Sequence, residues 1–331
     1  MRNKLTKAVP LVAVLALIAP LTAPAHAATS KGLVGFSYPI QANTYLAAIG
    51  AAAQKELATA GYTMLGIDAQ LDGNKQISDI DTMIAKKVVA MIIYPLDSKG
   101  LTPELNKAAA AGIKVITMNY SVGDTTKAPP APALAQVQDA FTSHVLATDR
   151  VNYLKKVLPK GGNVLYVGLG FPVAALEMHA ALFKAALGSA SGFKYLGRVD
   201  NQSDDAEGGR QAVDSALIKY PNVDAIVAYN DPTALGAYSA VKAAGKAGKI
   251  KVIGLQMQPE AVTSIKNNEI NGSWDFNPVQ SGYELGHLTN LILKGRPQSS
   301  WSKTYKTKAL FYDNTTIASF IPWADRIASQ K

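Results

Sequence analysis

Two kinds of hydrophobic patterning alternate along this chain. Short apolar runs at residues 33–36, 64–67, 88–94 and 114–118 have the length of strands, and the run at 88–94 is unbroken, as in a strand buried on both faces of a parallel sheet. Between them apolar residues recur at helical spacing. Leu46, Ile49, Ala53 and Leu57 share one face and are followed by Gly61; Ile77, Ile80 and Ile84 mark the next helix; a third, over 103–111, stops at Gly112. This order predicts a doubly wound parallel sheet with right-handed crossovers. The pattern lapses over 121–136, where Pro129, Pro130 and Pro132 sit among small and polar residues, the composition of a connection or of a loop beside a site. A second series follows, with strands at 163–167, 195–199, 225–229 and 251–255 and helices over 174–187, 205–219 and 233–244. The expected fold class is therefore α/β: two similar doubly wound parallel-sheet lobes joined by a hinge. Ligands of such sheets bind beyond the carboxyl ends of the strands, so a ligand cleft is expected between the lobes.

The amino terminus changes what such a fold is for. Arg2, Lys4 and Lys7 precede an apolar run over 9–21, and Ala25-His26-Ala27 offers small residues at the −3 and −1 positions of a cleavage site. This reads as a secretory signal peptide over 1–27, too short and too interrupted by Pro10 and Pro20 for a good membrane span. An exported α/β chain has little soluble nucleotide to bind, which moves the expectation from nucleotide enzyme to extracytoplasmic binding protein. Hydrophobic residues make up 48% and charged residues 17%, enough to bury sizeable cores. Three of the nine net positive charges lie in the leader, leaving +6, and the remaining Lys and Arg are scattered. Lys242, Lys246, Lys249 and Lys251 form the densest group and read as a solvated face, not as a nucleic-acid footprint. There is no cysteine, so disulfides, thiol catalysis, thiolate metal sites and a lipid-bearing cysteine at the cleavage site are all excluded. A soluble, unanchored receptor needs an outer barrier to stay near its cell, which points to a periplasm.

Catalytic motifs are scarce. The sequence has no phosphate-binding Gly-x-x-x-x-Gly-Lys-Ser/Thr, no Gly-x-Ser-x-Gly elbow and no His-Glu-x-x-His helix. Gly168-Leu169-Gly170 lacks the third glycine of a dinucleotide fingerprint and reads as a strand-to-helix turn. Asp68, Gln70, Asp72, Gly73 and Asp79 fall at calcium-loop spacing, but Gln holds the third position and the bidentate Glu is missing, which favours a turn with Asp72 or Asn74 capping a helix. No metal and no cofactor are expected. The strand ends say more: Asn119-Tyr120, Asn230-Asp231-Pro232 and Leu255-Gln256 place amides, which both donate and accept, where a hydroxylated ligand would meet them. Asp231 is expected to cap the helix that Pro232 opens, leaving Asn230 free to face the cleft. Tyr45, Tyr120, Trp274 and Phe276 are candidates for flat apolar walls, with ordinary core packing the even alternative for each.

The chain resembles a type I periplasmic solute-binding protein of the ribose-binding family, the receptor component of an ABC sugar importer. The resemblance spans the chain beyond the leader and rests on several motifs. These are Asn43-Thr44-Tyr45-Leu46, Ala53-Gln54-Lys55-Glu56, Tyr94-Pro95-Leu96-Asp97-Ser98, Gly112-Ile113-Lys114-Val115-Ile116-Thr117, and Asn230-Asp231 followed by Ala234-Leu235-Gly236-Ala237. It implies two lobes joined by three crossings, a first lobe of 28–136 plus 277–306 and a second of 137–276 plus 307–331. It also implies a site. Asn43, Tyr45 and Leu46 come from the first lobe; Asn119 and Tyr120 stand where ribose-type members have an Asp-Arg pair. In the second lobe His179 stands near a family arginine, with Glu177 two residues before it. Asn230 matches its family position, Gln256 replaces a common aspartate, and Phe276, beside Asp275, falls near a family glutamine. The two arginines that grip a pyranose are absent, so a different pentose, a short or branched sugar, or a sugar alcohol is expected. The expected partners are a small neutral carbohydrate or polyol and an inner-membrane ABC permease, with the receptor a monomer, no nucleic acid bound and no catalysis. The alternatives are a sensory protein that presents a sugar or autoinducer-2 to a membrane receptor, and a secreted sugar-acting enzyme with Glu177 and Asp275 as acid and base.

Overall fold

The structure, a computed structural model, describes residues 30–119 and 129–330; the expected leader lies outside the described residues. The first sheet is built from β1 (Leu33–Tyr38), β2 (Thr63–Asp68), β3 (Ala90–Ile93), β4 (Lys114–Met118) and β5 (Ala135–Gln138), with β11 (Thr304–Lys306) at its edge. Its order is β2-β1-β3-β4-β5-β11, and every pairing is parallel. Helices α1 (Thr44–Thr59), α2 (Gly73–Ala85) and α3 (Thr102–Ala110) make the crossovers. Each face of this sheet is covered, which is why β3 is buried at all four positions. Ile92, Ile116 and Val137 pack with α1, while Met91, Ile93 and Val115 pack with Ile80, Met83 and Leu105 of α2 and α3.

The second sheet holds β6 (Gly162–Leu169), β7 (Phe193–Asn201), β8 (Ala225–Ala228) and β9 (Lys251–Ile253) in the order β7-β6-β8-β9, again all parallel. Its helices are α4 (His144–Val157), α5 (Ala174–Gly188), α6 (Ala206–Lys219), α7 (Asp231–Ala243) and α8 (Pro259–Lys266). Single bridges, Ile253 to Gly272 and Gln256 to Asp275, extend it to β10 (Ser273–Asp275), which pairs antiparallel with β12 (Leu310–Tyr312). Arg150 of α4 is wholly buried in this lobe. Its guanidinium donates to the Ala228 carbonyl at 2.7 Å and lies over the rings of Phe183 and Trp274, 5.5 and 5.8 Å from their centroids. Burial brings its pKa down to about 10, so it stays cationic and ties the end of β8 to α4.

The chain passes between lobes after β5, after β10 and after β11. A further passage follows β12 and leads to α10 (Trp323–Ser329). Residues 137 and 138, expected in the second lobe, pair within the first sheet because β5 runs on to Gln138 beside β4 and β11. The final segment, also expected there, is divided: β12 pairs with β10, but α10 docks on α1. Lys55 reaches the carbonyls of Ile327 and Ala328 at 2.6 and 2.9 Å, satisfying acceptors that a helix end leaves open. α9 (Pro278–Leu293) lies against α1 at very short range, and two glycines one helical turn apart make that possible. A Cβ on Gly282 would stand 2.1 Å from the Ile49 carbonyl oxygen, and one on Gly286 2.9 Å from that of Ala53. Gly282→Ala must therefore spread the two helices and is expected to cost about 1–3 kcal/mol, the range for overpacking a close interface. Urea unfolding of the variant checks this, and an unchanged midpoint would refute the tight seam.

Candidate functional site

Both sheets end in one place. A cavity of about 40 Å³ lies between the lobes at the carboxyl ends of the strands. The first lobe contributes Pro39, Ile40, Asn43, Leu46, Leu71 and Tyr94; the second contributes Phe141, Leu169, Val173, Leu176, Asp204, Tyr229 and Gln256. The walls are thus mostly aliphatic, broken by five polar side chains.

Asn43 is the N-cap of α1. Its extended backbone lets Oδ1 accept from the Tyr45 amide at 3.0 Å, which turns Nδ2 across the cleft to Asp204 Oδ2 at 3.1 Å. A second bond joins the lobes: Thr44 Oγ1 donates to Gln258 Oε1 at 2.6 Å. Leu46 lines the cavity one turn further along. Tyr45, by contrast, is fully buried at the hinge, edge-on to Phe276 and Trp323, with its hydroxyl on Asp139 Oδ2 at 3.2 Å. Phe276 is equally buried, 4.7 Å from Phe141 between ring centroids. These two rings are hinge packing; the aromatic walls are Tyr94, Phe141 and Tyr229. Trp274 also belongs to the core, against Tyr153 and Phe311.

Asn119 does not line the cavity. Its backbone is left-handed, φ 53°, a conformation Asn tolerates, and its side chain serves Tyr94: Nδ2 donates to the Tyr94 hydroxyl at 3.0 Å while Oδ1 accepts from the Asp139 amide at 3.0 Å. The Tyr94 hydroxyl in turn reaches Asp139 Oδ2 at 3.5 Å, and burial raises the Asp139 carboxyl to about 6. Tyr120 lies outside the described residues.

The cap expected of Asp231 falls to Asn230, and Asp231 does not take a place in the cleft instead. Asn230 is the cap: at φ −150° and ψ 172° it is still extended, so its Oδ1 accepts from the Thr233 amide at 3.0 Å. Its Nδ2 donates to Asp204 Oδ1 at 2.7 Å. Asp231, already helical and fully buried, accepts from the Gln258 amide at 2.7 Å and so holds the segment after β9. That segment needs holding, because Gln256 and Met257 are both left-handed, at φ 89° and 60°. Gln256 meets the cavity with its Oε1 occupied by Gln258 Nε2 at 2.9 Å.

Three expected residues are engaged elsewhere. His179 is buried behind the cleft against Phe141 and Arg150, with Nε2 3.0 Å from the guanidinium. Burial and that neighbouring cation push its pKa down to about 3, so it is neutral. Glu177 pairs with Arg198 at 2.7 Å. Asp275 pairs with Arg326 at 2.7 Å and accepts from the Trp323 indole at 3.3 Å, so it belongs to the hinge. Glu177 and Asp275 therefore sit in separate ion pairs, and neither lines the cavity. The calcium-spaced residues form ordinary structure: Asp72 caps α2, Asp68 accepts from the Gln70 amide, and Asp79 pairs with Lys75.

Asp204 was missed. It follows β7 in a left-handed conformation, φ 57°, and accepts from Asn43, Asn230 and the Tyr229 hydroxyl. Burial raises its pKa. The available signal was its place in the polar run Gln202-Ser203-Asp204-Asp205 at the carboxyl end of a strand.

Residues 34–297 match the model of the periplasmic binding protein domain family. The ribose import binding protein of Bacillus subtilis is 27% identical over 276 residues, 80% of this chain and 82% of that protein. The D-ribose/D-allose-binding protein of Pseudomonas aeruginosa is 30% identical over 240 residues, 70% and 72% of the two chains. Among solved structures, the myo-inositol binding protein of Caulobacter aligns with a TM-score of 0.77 at 21% identity, covering 93% of this chain and all of that one. The arabinose transporter component of Shewanella sp. ANA-3 aligns at 0.78 with 20% identity, covering 90% and 99%.

Two expectations follow for the second-lobe strand ends. Asn230→Ala removes a cap and a buried donor to Asp204, and should lower stability by about 1–3 kcal/mol in urea. Burial raises Asp231 to about 7, above its unfolded value, so the native state holds that proton more tightly. The associated stability is complete below the unfolded pKa and is lost as pH climbs through about 7. Asp231→Asn should thus gain on the parent as pH rises from about 4 to about 8, by at most a few kcal/mol. Parallel curves of urea midpoint against pH would show that Asp231 does not titrate in that window.

Proposed function

The chain belongs to the periplasmic binding protein domain family, and from that membership we propose that it is the receptor of an ABC importer, closing two lobes around a neutral sugar or sugar alcohol. The observation that carries this reading is the lining of the interlobe cavity. Aliphatic walls suit the C–H faces of a polyol, while Asn43, Tyr94, Asp204, Tyr229 and Gln256 suit its hydroxyls. None of the lining residues is Lys, Arg or His. Arg150 is spent on backbone carbonyls behind the cleft and Arg198 on Glu177 and Asp200. An anion entering here would lose its hydration and meet a carboxylate.

Closing is favoured by ligand because only the closed form contacts it from both lobes. The closed surface is then what an inner-membrane permease reads. With its leader removed near Ala27, the receptor works as a monomer in the periplasm. A dissociation constant of about 1 μM, ordinary for a scavenging receptor, needs about −8 kcal/mol, which a few satisfied hydroxyls in an apolar cleft can supply.

A thermal-shift screen of pentoses, hexoses, inositols, tetritols and pentitols tests the reading, since a ligand that binds only the folded form raises the melting temperature. Matched pairs then test the charge. A pentitol should outcompete its aldonic acid, and a free sugar its phosphate, with little dependence on salt. Tighter binding of the anionic member of either pair would overturn the reading.

A further inference from the structure

We propose, resting on the reading above, that Asp204 is the specificity-determining residue of the cleft, and that with Asn43 it reads a single ligand hydroxyl. Asp204 is not one of the positions where this chain resembles ribose-type sites, and its two oxygens have different duties. Oδ1 is taken by its own lobe, through the Tyr229 hydroxyl and Asn230 Nδ2 at 2.7 Å. Oδ2 faces the other lobe and accepts from Asn43 Nδ2 at 3.1 Å. The Asn43 amide cannot turn round, because its Oδ1 is committed to the Tyr45 amide at the start of α1. A fixed donor on one lobe therefore faces a fixed acceptor on the other, beside the aliphatic walls of the cavity.

When the lobes part, each group loses its partner. A hydroxyl placed between them restores both bonds: its oxygen accepts from Asn43 Nδ2 and its proton goes to Asp204 Oδ2. Other groups at that locus satisfy half the pair or none. A carbonyl or ether oxygen takes the Asn43 proton and leaves its lone pairs against the carboxylate. An ammonium pairs with Asp204 and presents no lone pair to Asn43. A methylene leaves a donor and an acceptor unpaired in a closed cleft, which is the costly case. The interlobe bond thus marks where one hydroxyl of the ligand sits, and the chain selects for a hydroxyl there against a deoxy, keto or amino function.

The test uses isothermal titration of the full chain with D-ribose, ribitol, erythritol and myo-inositol, followed by every monodeoxy analogue of the tightest of these. The parent is expected to lose roughly five- to hundredfold at one deoxy position through this pair. In Asp204→Ala the loss at that position should shrink to what Asn43 alone reads, so that the complete ligand and its deoxy analogue bind more nearly alike than in the parent. If Asp204→Ala does not give a cooperative melt, Asp204→Asn decides: it keeps the side chain's size and one carbonyl acceptor, and its discrimination at that position should fall below the parent's. A loss pattern identical in parent and folded variant overturns the role of Asp204 while leaving the receptor reading intact. A parent that binds none of the four probes overturns the receptor reading for them, and this inference with it.

Discussion

A carboxylate removed from water must be given donors, and this chain does so four times where its two lobes meet. Asp139 collects two tyrosine hydroxyls and a backbone amide at the first crossing. Asp275 collects Arg326, the Trp323 indole and the Asn277 amide at the second. Asp231 holds the strained turn after β9, and Asp204 gathers one donor from the first lobe and two from its own. Each sits just past or at the end of a strand, where a parallel sheet stops supplying partners of its own. The geometry of the cleft is largely the geometry of those four satisfactions. Remove any one of these donors and a buried charge is left short, so the loops have little freedom to settle elsewhere.

The alternation of periods made the fold legible, because a two-sided parallel sheet writes unbroken apolar strands between amphipathic helices, as at residues 88–94. The first-lobe wall was legible for a local reason: Asn43 and Leu46 are fixed by the start of one helix. Gln256 was legible as an amide at a strand end. Asn230 and Asp231 were placed correctly at one helix start but the cap was assigned one residue too late, because a cap is decided by which residue is still extended, and sequence defines that only to within a residue or two. Tyr45 and Phe276 carry the surface of a sugar platform, but adjacent aromatics at a hinge bury one another first. Asp204 left only the faint trace of a polar run after a strand, because Asn230 is brought to it by the folding of its own lobe and Asn43 only when the two lobes meet.

The same contrast holds for the cations. The resemblance implies that arginines are missing from the positions where a ribose-type cleft has them. It does not show that Arg150 is present a short way behind, wholly buried and spent on the Ala228 carbonyl and two aromatic rings. A guanidinium there rigidifies the floor of the second lobe without offering charge to the cleft, and His179, held neutral beside it, adds none. The cleft is left with amides, phenols and one carboxylate.

The docking of α10 on α1 has a consequence for the order in which the molecule can be made. The second sheet comes from one continuous stretch, from β6 to β9, although its lobe still takes β12 from late in the chain, whereas the first sheet itself draws β11 from there and is covered by α9 and α10. No amino-terminal fragment contains a finished first lobe. As the chain emerges, its earliest strands carry α1, α2 and α3 but wait for α9 and β11, which lie beyond the whole of the second sheet. Contacts such as that of Lys55 with the Ile327 carbonyl thus join residues far apart in the chain, and neither lobe is finished until the segment after α9 has been made.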